Sequence, residues 1–257
     1  MNNNYYVAKI FAKKAFVDIR INDIPLLKLD TEDDFTAEIP INYLIESSGC
    51  HTLMIQLYPN IGSILLAKES ECSVDIFCYD GAGDTLVEKE KVCSLKSSND
   101  NKRIIIPDVR QKHFVAEVSY NIRRWGDCEK IKEDLSISSK VAKYYQKIWN
   151  LLSEKNYEGY LDLIQERERN ICKSLMVNEE SIRKRNELFF DCLEDGFELC
   201  PMKGKKSMEF YAGRRIVSVL DADLKPAIRF KNYDSGEILT IEILLGIKKG
   251  QKEFSII

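Results

Sequence analysis

Histidine is scarce: the 257 residues hold two, His51 and His113. None of the eight cysteines, Cys50, Cys72, Cys78, Cys93, Cys128, Cys172, Cys192 and Cys200, falls in a Cys-x-x-Cys pair. A structural zinc site draws on close Cys or His pairs, because a short turn brings two ligands onto one ion. That pattern is missing, and neither a metal nor another cofactor is expected. Several cysteines sit in apolar stretches, as in VDIFCYD and LFFDCLE, where a reduced thiol packs as a small hydrophobe. Buried free thiols are therefore expected, since reducing compartments disfavour disulfides. No stretch approaches the roughly 20 apolar residues that span a bilayer. The opening MNNNYYVAKIFAKKAF lacks the order of a secretory leader, a basic start followed by a long apolar run. Cytoplasmic location without a membrane partner is the expectation. Charge of one sign is also lacking: 38 Lys and Arg face 41 Asp and Glu, a net charge of −3. No basic field draws the chain to nucleic acid. The chain has no Gly-x-Ser-x-Gly elbow, phosphate loop, dinucleotide fingerprint, His-Glu-x-x-His or kinase signature. It is read as a non-enzyme, with no catalytic residue assigned.

What is present is a globular composition, 44% hydrophobic and 31% charged, long enough for one large domain or two ordinary ones. The first half alternates apolar and polar residues. Val17, Ile19 and Ile21 enclose Asp18 and Arg20, the rhythm of a strand with one buried face. Asn22-Asp23 turns the chain, and PLLKL and FTAEIPI follow. HTLMIQLYP places Leu53, Ile55 and Leu57 on one face, and CSVDIFCY does the same with Val74, Ile76 and Cys78. A glycine turn is expected at 80–84, and further strands in TLVEKEKVCSL, RIIIPDV and HFVAEVSYNI. Short strands spaced by turns, without a helix, predict an all-β sandwich over residues 1–124.

Residues 125–139 are polar and break the alternation, so they are read as a linker. From Lys140 the period becomes helical. Val141, Tyr144, Tyr145, Ile148, Leu151 and Leu152 share one face. Tyr157, Leu161, Ile164, Ile171 and Leu175 share the next. Asn178 caps a third helix carrying Ile182, Phe189, Phe190 and Leu193, and Gly196 ends it. Then RRIVSVLD, AIRF, EILTIEILLGI and KEFSII read as about four strands. Residues 140–257 thus predict an α+β domain, three helices packed on an antiparallel sheet.

This order, with the glycine-led strand GRRIVSVLD, resembles the cone-shaped nuclear transport factor 2-like family over roughly residues 138–257. That resemblance implies a curved sheet and a cone whose interior holds a ligand in some members and none in others. The whole chain also resembles two-domain bacterial immunity proteins of the type VI secretion kind. That resemblance implies a cognate toxin as partner and inhibition by blocking its active site.

Five groups of residues are candidates for sites. The acidic run Asp30, Glu32, Asp33 and Asp34 lacks the glycine and distal glutamate of a helix-loop-helix calcium site. It is expected in a loop that steers a basic partner. Arg214 and Arg215 offer guanidinium forks for a carboxylate or phosphate. On a strand they would point to opposite faces, so at most one reaches a pocket. Asp221 and Asp223 supply too few oxygens for a cation and read as a turn. Cys50 and His51 are adjacent on a strand and face opposite ways, which leaves them poorly placed as nucleophile and base. Tyr144, Tyr145, Trp149, Tyr157 and Tyr160 read mainly as core. As an alternative function, they line a small-molecule or enzyme pocket in the cone.

Overall fold

The computed structural model describes residues 4–81, 86–98, 107–132 and 134–257. The fold is α+β, with fifteen strands in four antiparallel sheets and three helices among the described residues. No helix among the described residues is long and apolar enough to cross a membrane. The chain separates into two compact units. One is Met1–Ile122 with Lys173–Val177, and the other is Arg123–Cys172 with Asn178–Ile257.

The first unit holds eight strands: β1 (Asn4–Lys13), β2 (Ala15–Ile21), β3 (Ile24–Thr31), β4 (Phe35–Pro40), β5 (Gly49–Tyr58), β6 (Glu71–Asp80), β7 (Val87–Ser98) and β8 (Asp108–Ala116). They form two sheets, in the orders β4-β1-β6-β7 and β3-β2-β5-β8. The alternation read from the sequence selects their buried faces. Val17, Ile19 and Ile21 on β2 are fully buried, as are Leu53, Ile55 and Leu57 on β5 and Val74 and Ile76 on β6. Contrary to expectation, β2 is buried on both faces. The Arg20 guanidinium donates to both Asp18 carboxylate oxygens, and the Lys28 ammonium lies 3.7 Å from one of them. Two opposite charges that satisfy each other are thereby able to lie in a half-dry layer. Asn22 and Asp23 both have positive φ, 55° and 60°. That is the two-residue turn whose twist matches a hairpin. The turn expected at 80–84 and the strand expected from Arg103 lie partly outside the described residues.

The second unit holds α1 (Leu135–Ser153), α2 (Tyr157–Leu175) and α3 (Glu179–Glu194). Its strands are β9 (Phe197–Leu199), β10 (Ser207–Tyr211), β11 (Ile216–Leu220), β12 (Ile228–Asn232), β13 (Ile238–Ile241), β14 (Leu245–Gly246) and β15 (Ser255–Ile256). The first helix begins five residues before Lys140, because the Asp134 carboxylate accepts from the Ser136 backbone N–H and hydroxyl. Asn178 caps α3 by accepting from the Ser181 N–H at 2.8 Å, and Gly196 leaves that helix at φ 89°. Residues 125–132, read as a linker, are fastened into this unit: Cys128 bridges Lys248, and the Ile131 N–H donates to Arg214.

EILTIEILLGI is two strands in two sheets rather than one long strand. β13 pairs with β12 in the order β13-β12-β9, while β14 joins β10-β11-β14-β15. Between them the Ile243 carbonyl accepts from the Tyr145 hydroxyl at 2.7 Å. A side chain from α1 thus takes a backbone acceptor that a continuous ladder would need. One core cluster joins the helices to both sheets. Val141, Tyr145, Ile148 and Leu152 of α1 and Tyr160 and Ile164 of α2 meet Val217, Val219, Ile228, Phe230 and Leu245. The buried stripe of α2 is therefore Tyr160, Ile164 and Glu168, while the expected face residues Tyr157 and Leu161 are only half-buried beside it.

Tyr145 is the polar keystone of that core. Its hydroxyl also accepts from the Val219 N–H at 2.9 Å, and burial pushes its pKa well above the usual tyrosine value. Tyr145→Phe leaves one buried donor and one buried acceptor unmatched. Chemical denaturation is expected to show a loss of about 2 kcal/mol.

Candidate partner-binding surface

β3 belongs to one sheet of the first unit and β4 to the other; Asp30, expected in the loop, lies on β3 opposite Phe16, and residues 32–34 carry the chain across. Asp30, Glu32, Asp33 and Asp34 are all exposed. The turn is closed internally by the Thr31 hydroxyl, which donates to the Asp33 carbonyl at 2.8 Å. Asp30 does more than carry charge. One carboxylate oxygen accepts from the Asn60 side chain at 2.8 Å, and both accept longer bonds from the Ile61 backbone N–H. Asn60, itself buried, also donates to the Thr31 carbonyl at 3.0 Å. Two loops are thereby clipped together, 30–34 and 60–66.

The second loop carries a signal that periodicity does not reveal. Ile61, Ile64 and Leu65 are exposed by 52%, 80% and 45%, while Leu66 is buried and anchors the loop's end. Gly62, at φ 91°, makes the turn. In the sequence the clue is PNIGSILL: large aliphatics in a Pro- and Gly-marked segment that does not alternate. Lys14 pairs with Glu69 beside the loops. Its pKa is raised, first by that hydrogen bond and charge and further by Glu32 and Asp34. The result is an exposed apolar loop, tied by hydrogen bonds to Asp30 and Thr31 and anchored at its end by the buried Leu66.

The other candidates resolve differently. Arg214 and Arg215 lie in the turn between β10 and β11, not on a strand, because Ala212, Gly213 and Arg214 all take positive φ. Arg214 stacks over the Phe210 ring at 4.1 Å, and Arg215 donates to the Ala212 carbonyl at 3.4 Å. They belong to the second unit, whereas the acidic run belongs to the first. Asp221 and Asp223 are both engaged by the Arg229 guanidinium, and Asp221 also by Lys206 at 3.1 Å. Burial alone would raise the Asp221 pKa. The Ala222 N–H, Lys206 and Arg229 outweigh it, and the carboxyl is held below its usual range. No group of three or more metal-ligating side chains occurs among the described residues.

Cys50 is exposed, while His51 is buried with both ring nitrogens occupied. Its Nδ1 faces the Asn22 amide N–H at 3.0 Å, and its Nε2 faces the Ser47 carbonyl at 3.0 Å. Those partners require a neutral ring protonated on Nε2. His113 instead meets the Thr52 hydroxyl at 3.1 Å. Burial lowers the His51 pKa, against a smaller upward pull from Ser47. A histidine depressed in the folded state stabilises fully above its unfolded value of about 6.5. That stability is lost as pH falls below it and through the folded value. Thermal melts are therefore expected to fall between pH 7 and 5, and His51→Gln to flatten that part of the dependence.

All eight cysteines are free, and five are buried. Burial pushes the Cys72 thiol up to about 12. Cys192, expected in an apolar setting, is exposed, because it lies on the solvent side of α3. Among the described residues, no one of three spaces is lined by all five helical aromatics. Tyr145 borders a space of about 320 Å³ against β10, Tyr157 a groove of about 590 Å³ between α2 and α3, and Tyr160 a space of about 330 Å³ against β13. Tyr144 and Trp149 line none of these three; the Trp149 indole donates to the Cys200 carbonyl at 3.0 Å. The third space is bordered by Arg167 and Arg185, but both already bind the buried Glu168 carboxylate. Comparison with protein-family models, curated proteins and solved structures finds no match.

Proposed function

We propose that this chain is a non-catalytic protein-binding protein, in its most specific form a cytosolic bacterial immunity protein that blocks the active site of a cognate toxin. In this reading the first unit is a β-sandwich that presents the binding loops. The second is a nuclear transport factor 2-like cone whose core is filled by Tyr145 and its neighbours. The observation that carries the reading is the clipped loop pair. Ile64 stands four-fifths exposed in a loop that Asp30 holds through Asn60 and Ile61, where an aliphatic side chain gains nothing until a partner covers it. A few such anchors supply most of the affinity of a protein interface, and a charged margin speeds encounter with an oppositely charged partner. A toxin that acts on nucleic acid has the basic cleft this margin complements.

The test is protection. Cells expressing the polypeptide encoded beside this chain's reading frame should survive when the chain is co-expressed. The purified chain should inhibit that polypeptide's activity at a one-to-one ratio. Survival and activity unchanged by the chain would count against the immunity reading.

A further inference from the structure

The largest of the three spaces is a groove along one side of the helical hairpin. Tyr157 stacks on Phe190 at 4.2 Å, Glu168 binds Arg185, and the Cys172 thiol meets the Asn178 carbonyl. These pairings run α2 and α3 antiparallel. The groove floor is Tyr157, Leu161, Cys172, Ile182 and Phe190. From Tyr157 to Cys172 it extends about 22 Å at the helical rise of about 1.5 Å per residue, the length of a four-turn helix. Its charge is uneven along that length. Glu158, Asp162 and Glu187 border one end, whereas Arg169, Arg183 and Glu179 border the other. Arg183 reaches Glu187 only at 3.7 Å, and both side chains are largely exposed.

We propose that this groove receives an amphipathic helix from a protein partner, with that helix's basic end over Glu158, Asp162 and Glu187. Helical side chains form ridges that fit the furrow between two helices, and an apolar stripe at helical spacing covers such a floor. The acidic end fixes both the sign of the occupant's charge and its direction. The groove lies entirely in the second unit, so the assignment stands apart from the loop pair of the first.

Two fluorescein-labelled 18-residue peptides test it against the full chain by anisotropy. Both carry one leucine stripe at helical spacing; one flanks it with lysines, the other with glutamates. The lysine peptide should bind at least about tenfold tighter than the glutamate peptide, a difference equal to a few exposed charge pairs. The preference should shrink in high salt. Glu158→Lys with Asp162→Lys should reverse it while lowering the melting temperature by only a few degrees, because both side chains are exposed and only Glu158 lies in the first turn of α2, where the helix dipole favours an acid only weakly. Leu161→Asp should weaken both peptides. Equal affinity for the two peptides, no binding of either, or a preference that survives the double substitution would overturn the proposal. So would a dimer in sedimentation that the double substitution dissolves, since the groove would then belong to a second copy of this chain.

Discussion

Replacing Ile64 and Leu65 together by aspartate is expected to weaken the complex with the partner by at least about 100-fold, or about 3 kcal/mol. The two side chains are 80% and 45% exposed, so the free protein should melt unchanged. Surface substitutions away from packed or bonded features leave stability nearly as it was. In the proposed complex the same positions are buried, so two carboxylates would have to be desolvated where apolar side chains had packed. Most of the loss should appear as faster dissociation. Glu32→Lys with Asp33→Lys should behave differently. Both sit on the exposed margin, so association should slow and its salt dependence weaken while dissociation changes little. Calorimetry and stopped-flow binding separate the two outcomes. Equal affinity of the aspartate variant would remove the apolar loop from the interface.

Gly246→Ala is the substitution expected to damage the fold most for the fewest atoms. A Cβ on Gly246 would stand 2.6 Å from the Cys128 sulfur, 2.9 Å from Ile257 Cγ1 and 3.0 Å from Ile216 Cδ1. Gly246, Cys128, Ile216 and Ile257 are all buried. Gly246 pairs with Ile216 on one side and Ser255 on the other, so backbone retreat would break ladder bonds in both directions. Overpacking of this kind costs about 3 kcal/mol. The melting transition of the second unit should fall by about 10 °C. Cys128→Ala in the same chain should recover part of the loss by removing the nearest clash. No recovery would mean that the strain lies in the backbone instead.

Much of the architecture is visible in residue order. Period-two alternation marks β2, β5 and β6, because the apolar face of each must leave water. The Asn22-Asp23 hairpin and the Asn178 cap follow from local backbone chemistry that needs no tertiary knowledge. Features that depend on distant partners were not visible. EILTIEILLGI reads as one strand until the Tyr145 hydroxyl, from a helix about a hundred residues earlier, captures the Ile243 carbonyl. The second buried face of β2 depends on Arg20 closing on Asp18. Tyr157 and Leu161 fit a helical stripe as well as Tyr160 and Ile164 do, and only packing decides which pair enters the core. The acidic half of the candidate surface was legible as a charge run. Its apolar half was not, since hydrophobic residues in a loop resemble core until their exposure is known.

In the proposed complex the partner covers the loop pair of the first unit. Hydrogen exchange of the chain, free and in complex with the protein encoded beside it, tests this directly. Slowed exchange confined mainly to the amides of residues 30–34 and 60–66, absent in the Ile64→Asp, Leu65→Asp variant, is the expected result. A complex that leaves both loops exchanging as in the free chain would contradict it.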